Sequence, residues 1–242
     1  MKKYPRLSVV TVVFNGETHL EQTVRSVSAQ TYDNVEYLVI DGGSTDGTLD
    51  IIRRYEDRID DWVSERDGGI YDAMNKGVRY ATGDFVAFLN ADDWYESDAL
   101  EAVAAVIEAE QDVEFVYADI KVEGENASYV WKGNAGKYWR GESIPHPACF
   151  MKRTLLQQNP FDLTYRLAAD YELIVRIVQK GAKMAYLDKV VTNYRVGGAS
   201  SNFDSRREVF RINKRYFGIV YAMKRLTTDY LYRVINFVKA KR

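Results

Sequence analysis

A chain of 242 residues with 46% hydrophobic residues, 28% charged residues and a net charge of −2 has the make-up of a soluble globular protein, long enough for one large α/β domain or two small ones. A single cysteine, Cys149, excludes an intramolecular disulfide framework and a cysteine-rich zinc site; two histidines far apart, His19 and His146, argue against a histidine-rich metal centre. No signal-peptide pattern and no run of the ~20 apolar residues that span a bilayer is found, so the expected compartment is the cytoplasm.

In chain order, "LSVVTVVF" is β-branched and stops at Asn15-Gly16, which predicts a buried strand. Leu20, Val24 and Val27 at helical spacing predict a helix over 18–29. "VEYLVI" predicts a second strand ending at Asp41, "DGGSTDGT" a turn with helix-capping residues Ser44, Thr45 and Asp46, and a helix then runs through Tyr55. "DWVSE" reads as a short strand, 71–80 as a helix, "FVAFL" as a strand, 97–110 as an Ala-rich helix and "FVYADIKV" as a strand. This alternation predicts an α/β fold with a mostly parallel sheet covered on both faces. Beyond Lys121 the rhythm changes. "EGENAS" and "WKGNAGKYWRGES" read as loops, "HPACFMK" as a strand, "AADYELIVRIVQKG" as a helix stopped by Gly181, and "KMAYLD" as a short strand. The expected organisation is one continuous domain over 1–204, with halves 1–120 and 121–204, followed by a helical tail over 205–242.

The modest net charge hides an asymmetry. Residues 205–242 hold eleven Lys/Arg against two Asp/Glu, a net of +9, which leaves −11 for residues 1–204. Seven aromatics lie in the same tail. A basic, aromatic, helix-compatible tail predicts either an anionic membrane surface as partner or a helix pair that answers the acidic body. No nucleic-acid partner is expected.

In parallel α/β sheets, ligands bind outside the carboxyl ends of the strands. Those ends carry Asn15, Asp41 and the run Asn90-Ala91-Asp92-Asp93. Two adjacent carboxylates at the end of an apolar strand repel each other unless something positive sits there. A divalent cation held by one or two carboxylates plus a substrate's phosphates fits; so does a plain cap on the following helix.

Five segments, "SVVTVVFNG", "DGGSTDGT", "SERDGGIYDAMNKG", "ATGDFVAFLNADDW" and "AADYELIVRI", occur in this order. Together, over roughly residues 5–200, they resemble the inverting family 2 glycosyltransferases with the A-type (GT-A) nucleotide-sugar fold, nearest to bacterial enzymes of surface-polysaccharide synthesis. The resemblance implies transfer of a sugar from a nucleotide-diphosphate sugar, a UDP-sugar being the first expectation, to a glycan or lipid-linked acceptor, with Mn²⁺ or Mg²⁺ as cofactor. It implies that Val13, Asn15 and Asp41 line the nucleoside pocket and that Glu65, Arg66 and Asp67, with Asn75 beyond them, wall the nucleotide. Asn90-Ala91-Asp92 stands where the family has Asp-x-Asp, which makes Asp92 a metal ligand with Asp93 beside it. The first position is an amide here, so it brings no charge. Gly42 follows Asp41 where many relatives have a second Asp. Asp170 stands at the family's catalytic base; without the resemblance it reads as a first-turn residue favoured by the helix dipole.

His146 in "SIPHPACF" lies where relatives shape the acceptor site, and is expected either to contact acceptor or diphosphate or to be a hydrogen-bonded loop histidine. Arg195, Ser200 and Ser201 in "YRVGGASS" form either a phosphate cradle or a flexible turn. Trp131, Tyr138 and Trp139 suit sugar stacking or core packing. A dehydrogenase's Gly-x-Gly-x-x-Gly and a P-loop's Gly-Lys-Ser/Thr are absent. A sugar nucleotidyltransferase and a non-catalytic, membrane-recruited partner of a glycan assembly remain as rival readings. Association with the inner face of the cell membrane is expected if the tail docks on lipid.

Overall fold

The structure, a computed structural model, describes residues 4–124, 127–140, 143–197 and 203–228. Its centre is β1 (Leu7–Val13), buried at all seven positions. Four of those seven residues are valines, whose branched side chains are stiff and pack well on a pleated surface. β2 (Val35–Asp41) and β4 (Phe85–Asn90) flank β1, and β3 (Asp61–Ser64) extends the sheet beyond β2; all of these pairings are parallel. The crossovers are α1 (Leu20–Ser28), α2 (Thr48–Arg54) and α3 (Ile70–Tyr80).

After β4 come β5 (Trp94–Tyr95), α4 (Ala99–Ala109), β6 (Phe115–Glu123), β7 (Ser128–Trp131), β8 (Cys149–Lys152), α5 (Arg153–Gln158), α6 (Ala169–Gln179), β9 (Met184–Arg195) and α7 (Phe203–Phe217). A further helical run occupies 219–228. The sheet order is β3-β2-β1-β4-β8-β6-β9-β5, with β7 on β6. The expectation of a mostly parallel sheet holds for its first four strands. β8 runs antiparallel to both β4 and β6, and β5 antiparallel to β9, so the sheet as a whole is mixed.

Three elements differ from the sequence reading. Ser128 and Trp131, the facing ends of the two segments read as loops, form a hairpin strand with β6 together with Tyr129 and Val130 between them. The short strand at "KMAYLD" continues to Arg195, pairing parallel with β6 across a register shift near Ala118 and Asp119. Trp94 and Tyr95 form a two-residue strand paired with β9, which no local pattern announces.

The parallel strands bury both faces, as their continuous apolar runs require. Val9, Val39, Ala87 and Leu89 point with α1, α2 and α4 into one core; Val10, Leu38, Val86 and Phe88 point with α3, α5 and α6 into the other. α7 joins the second core through Ile212, Val209, Tyr216 and Phe217. Gly77 on α3 is where that helix crosses β1: a Cβ there would lie 2.4 Å from Val10 Cγ1.

At the opposite end of the sheet from the strand carboxyl ends, one charge is buried. Glu36 receives hydrogen bonds from the Ser8 hydroxyl, from the Thr82 amide and hydroxyl at 2.7 and 2.5 Å, and an ion pair from Arg6 at 3.5 Å. Burial works to raise its pKa, but the hydrogen bonds and Arg6 bring it below the ordinary 4.5. A carboxylate depressed in the folded state adds stability that is present above its unfolded pKa and lost as pH falls through the folded one. Glu36→Gln is expected to lower the melting temperature at neutral pH by an amount corresponding to about 1–3 kcal/mol, the cost of mispairing buried donors. Its melting temperature should also change less than that of the wild type on titration below pH 4.5. Scanning calorimetry across pH 3–7 reads both.

Candidate active site

The in-register pairing brings the strand ends to one level: Val13 lies beside Asp41, Asp41 beside Ser64, and Val12 beside Asn90. Chain order reverses about β1, with β2 and β3 on one side and β4 on the other. A crevice at such a switch point is where open α/β sheets take ligands.

Asp41 is fully buried. Its Oδ2 accepts from the amides of Gly43 and Ser44, both at 3.0 Å, and from Ser64 Oγ at 2.6 Å; Oδ1 accepts from Ser44 Oγ at 2.5 Å. The carboxylate is saturated by its own loop and by β3. This corrects its expected contact with base or ribose: Asp41 shapes the pocket from beneath. Asn15 closes the same loop, donating its amide to Ser44 Oγ at 2.7 Å and accepting from the Thr45 amide at 2.9 Å. It has a φ of 51°, a left-handed conformation that asparagine tolerates better than most residues. Val13 is likewise buried and gives its carbonyl to the Gly42 amide at 2.8 Å. Gly42 is set by its neighbour: a Cβ there would lie 2.7 Å from Asp67 Oδ2.

The segment carrying Glu65, Arg66 and Asp67 descends from β3 to α3. Glu65 pairs with Lys76 at 2.9 Å, and Asp67 Oδ1 accepts from the Gly69 amide at 2.8 Å. Gly69 takes a φ of 117°, so this turn into α3 needs glycine. Arg66 is exposed on the rim. Asn75 does not join them. Its amide donates to the Phe161 carbonyl at 3.0 Å and accepts from the Phe161 amide at 2.9 Å, fastening α3 to the loop before α6, and this corrects its expected place on the nucleotide.

At the end of β4 the two adjacent aspartates separate. Asp93 is fully buried and accepts from the Arg195 amide at 3.0 Å; burial, and then the Asp92 charge, push its carboxyl well above the usual carboxylate range. It underpins the turn, which corrects its expected role as a metal ligand. Asp92 is partly exposed, and among the described residues its carboxylate has no hydrogen-bond or ion-pair partner. Asn90 Nδ2 lies 3.5 Å from Asp93 Oδ2, and its buried Oδ1 has no partner among the described residues. Arg195 braces the turn, with its guanidinium 5.0 Å from the Trp94 ring centre and bonded to Gln22 at 2.9 Å and the Asp92 carbonyl at 3.4 Å. Ser200 and Ser201 lie outside the described residues.

Asp170 is the second residue of α6. Its Oδ1 accepts from the Tyr71 hydroxyl at 2.9 Å and the Tyr171 amide at 2.8 Å, and among the described residues Oδ2 accepts nothing. Tyr71 sits in the first turn of α3, directly after the Glu65 to Gly69 segment, so it ties Asp170 to the same sheet edge. Sequence reasoning missed Tyr71, since no local pattern links two residues 99 positions apart. His146 is only 8% exposed, stacks on Phe88 at 5.7 Å and leaves Nε2 unpartnered among the described residues. Burial lowers its pKa against the pull of Asp170. The expected hydrogen-bonded loop histidine is not what the described residues show, since no hydrogen bond to its ring is found among them. Trp139 is partly exposed and stands edge-on to Tyr138; Trp131 packs against the core.

Any metal here would draw on a small donor set. Among the described residues no three His, Cys, Asp or Glu cluster tightly enough to hold an ion alone. Asp92 with an unpartnered carboxylate and Asn90 Oδ1, buried and orphaned, fit a hard cation that takes its remaining oxygens from a diphosphate and water.

This arrangement of a mixed sheet with a cleft at its switch point is that of a GT-A glycosyltransferase. Residues 8–169 match the profile of Glycosyl transferase family 2, and the chain belongs to that family. It is 33% identical over 204 residues to a PGL/p-HBAD biosynthesis glycosyltransferase of Mycobacterium bovis, covering 82% of this chain and 80% of that one. It is similar in fold to S. aureus TarS 1-349 in complex with UDP-GlcNAc, with a TM-score of 0.74 at 20% identity. That match covers 87% of this chain and 65% of the TarS chain, less than two thirds of its length. The mannosyltransferase PcManGT from Pyrobaculum calidifontis, in complex with GDP-Man and Mn²⁺, aligns with a TM-score of 0.65 at 18% identity, over 93% and 75% of the two chains. The protein is thus a family 2 glycosyltransferase.

Asp41→Ala strands four donors at the centre of the cleft floor. It is expected to cost about 3 kcal/mol, at the upper end for orphaned buried donors, and to weaken sugar-nucleotide binding through the collapsed loop. Urea unfolding checks the first effect and ligand-induced thermal shift the second.

Proposed function

We propose that the protein transfers a sugar from a nucleotide-diphosphate sugar to a hydroxyl of a glycan or lipid-linked acceptor, with inversion at the anomeric carbon. In this reading Asp92 holds a divalent cation, Mn²⁺ or Mg²⁺, and Asp170 is the general base. The observation that carries it is the division among four carboxylates at or near one sheet edge. Asp41 and Asp93 are buried and bonded to their own loops, whereas Asp92 has no partner and Asp170 keeps one oxygen open among the described residues.

When bound, the cation stabilises the charge that develops on the departing diphosphate. The protein supplies the rest. Asp92 and Asn90 orient the diphosphate side of the donor. Asp170, held by Tyr71, takes the proton from the acceptor hydroxyl as its oxygen attacks the anomeric carbon from the face opposite the leaving group. A positioned base of this kind contributes ~10²–10⁴-fold to rate. Attack from that face exchanges an α-linked donor for a β-linked product. The nucleotide-sugar ligands of TarS and PcManGT, and the Mn²⁺ of the latter, support the donor class and the metal. A uridine donor is the first choice of the proposal.

The acceptor side of the reading rests on the helical run 219–228. Tyr221 donates its hydroxyl to the Trp139 carbonyl at 2.5 Å and Ala222 is buried, so this face of the helix rests on the domain. Ile219, Val220, Met223 and Leu226, at positions that share another face, are exposed, Val220 by 80%. Among the described residues no helix is long and apolar enough to cross a membrane. An outward apolar face within a segment of net charge +9 suits an anionic lipid surface, to which each Lys or Arg contributes ~1 kcal/mol. The part of the tail over 229–242 lies outside the described residues.

Asp92→Ala and Asp170→Asn separate the two roles. A panel of UDP-glucose, UDP-N-acetylglucosamine and GDP-mannose with Mn²⁺ first identifies the donor by thermal shift, because a ligand that binds only the native state raises its stability. Asp92→Ala is expected to lose the metal-dependent part of that shift; Asp170→Asn should keep it while release of nucleotide diphosphate falls at least 100-fold. Retained turnover in either variant, or in wild type with excess chelator, overturns the corresponding assignment. For the surface, the full chain should sediment with phosphatidylglycerol vesicles at low salt and not with phosphatidylcholine vesicles, and Val220→Glu with Met223→Glu should abolish sedimentation. Indifference of the wild type to anionic vesicles removes the lipid-surface reading.

A further inference from the structure

The segment that carries Asp170 is gripped by a helix far along the chain. Within 162–172, five successive features bind to α7. Asp162 pairs with Arg215 at 3.5 Å. Tyr165 lies under the Arg211 guanidinium at 4.9 Å. The amides of Arg166, Leu167 and Ala168 all donate to the Glu208 carboxylate, at 2.8, 2.8 and 3.0 Å. The Tyr171 hydroxyl donates to Asn213 Oδ1 at 2.8 Å, and Tyr216 donates to Glu172. Asp170 itself makes no contact with α7 in this set; it is carried between fixed points on either side.

We propose that Glu208 is a positioning residue for the glycosyl-transfer chemistry. Its carboxylate, through the amides of residues 166–168, fixes the start of α6 and thereby the direction in which Asp170 presents its open oxygen. The physical grounds are specific. The three amides lie immediately before α6, the last of them at its N-cap residue Ala168, so the helix itself offers them no partner. One carboxylate satisfies all three, and its negative charge is favoured at a helix N-terminus. The base, two residues after Ala168, is bonded on its other side by Tyr71 from α3. The carboxyl group is therefore held between two anchors from different parts of the chain, and α7 supplies the one that orients the backbone. The Glu208 charge also reaches Tyr71, raising its pKa behind the larger effects of burial and Asp170. A general base works only within hydrogen-bond reach of the proton it takes, so a small change in the attitude of α6 reads out directly in turnover.

This inference rests on Asp170 being the base, and the experiment separates the two. Glu208→Gln keeps the size of the side chain, removes its charge and turns an NH₂ toward at least one of the three donors, which the carboxylate shares between Oε1 (Arg166) and Oε2 (Leu167 and Ala168). Turnover is read as nucleotide-diphosphate release from the sugar nucleotide of the panel that gives the largest thermal shift with Mn²⁺. Glu208→Gln is expected to lower kcat at least tenfold while KM for the donor and the donor-induced thermal shift stay within twofold of wild type. In an Asp170→Asn background the same substitution should cost less than twofold more, because a group that acts through the base has nothing left to position. Hydrogen exchange should accelerate at the amides of residues 166–168 and not in β1, β2 or β4.

Wild-type kcat in Glu208→Gln beside a collapsed kcat in Asp170→Asn overturns the positioning role and leaves the base in place. Multiplicative losses in the double variant, or a parallel loss of donor binding, overturn it as well by showing that Glu208 acts elsewhere. Wild-type turnover in Asp170→Asn overturns the base assignment, and the positioning role falls with it. Unchanged exchange at residues 166–168 shows that the contact is not made in solution, whatever the kinetics.

Discussion

The cleft is built on the buried charge of Asp41. A carboxylate removed from water is costly unless donors surround it, and here they come from two chain segments: the loop that follows β2 and the end of β3. Satisfying Asp41 forces the loop to fold back over the strand end, which places the Ser44 hydroxyl and Thr45 amide where Asn15 can bind them. The same fold-back brings Gly42 against Asp67, so the descending segment from β3 to α3 packs on it without a side chain between. Three loops from three parallel strands become one floor. A loop held this way loses little further entropy when a ligand settles on it, which is the advantage of preorganisation.

A comparable economy governs the other carboxylates. Asp92 and Asp93 are neighbours in sequence, yet the turn sends one into the protein and leaves the other at the cleft. Arg195 makes this separation possible: its backbone amide answers Asp93 while its guanidinium braces the turn from the side of Trp94 and Gln22. The two-residue strand β5 exists because β9 reaches far enough to pair with it. The length of β9 is thus a requirement of the site as well as of the sheet.

What the sequence made legible was local. Valine-rich runs with abrupt polar ends marked β1, β2 and β4, and their parallel pairing followed from the helices between them, so the level at which Asn15, Asp41 and Asn90 meet could be read before any coordinates. Non-local pairings were not legible. β7 is four residues lying between two loop-like segments and pairs with the edge that β6 offers it, and β9 runs on through Lys189 well past the short strand that its sequence announces. The candidate site shows the same limit. Motif positions identified which carboxylates come to the cleft, but not which of them are already spent on their own loops; Asp41 and Asp93 were assigned outward roles that their hydrogen bonds contradict. Asn75 was misplaced for the same reason, its amide being consumed by a backbone 86 residues away. Tyr71 and Glu208 carry no signal at all in a single sequence, since their meaning lies entirely in what they touch.

Charge composition drew a boundary at residue 205, separating an acidic body from a basic tail, and the structure shows why charge alone misleads there. α7 is basic on its outer face, yet Ile212 and Asn213 are buried and its inward residues belong to the second core. The run 219–228 continues from it after Gly218, whose φ of 87° turns the chain between the two helices. One helical system therefore has two kinds of face: an inner one that grips the segment around Asp170 and an outer one whose apolar residues meet solvent. The floor of the cleft is fixed by β1, β2 and β3, whereas α6 is fixed twice over: its buried face packs on the sheet in the second core, and the chain leading into it is held by side chains of α7, an element that arrives late in the sequence.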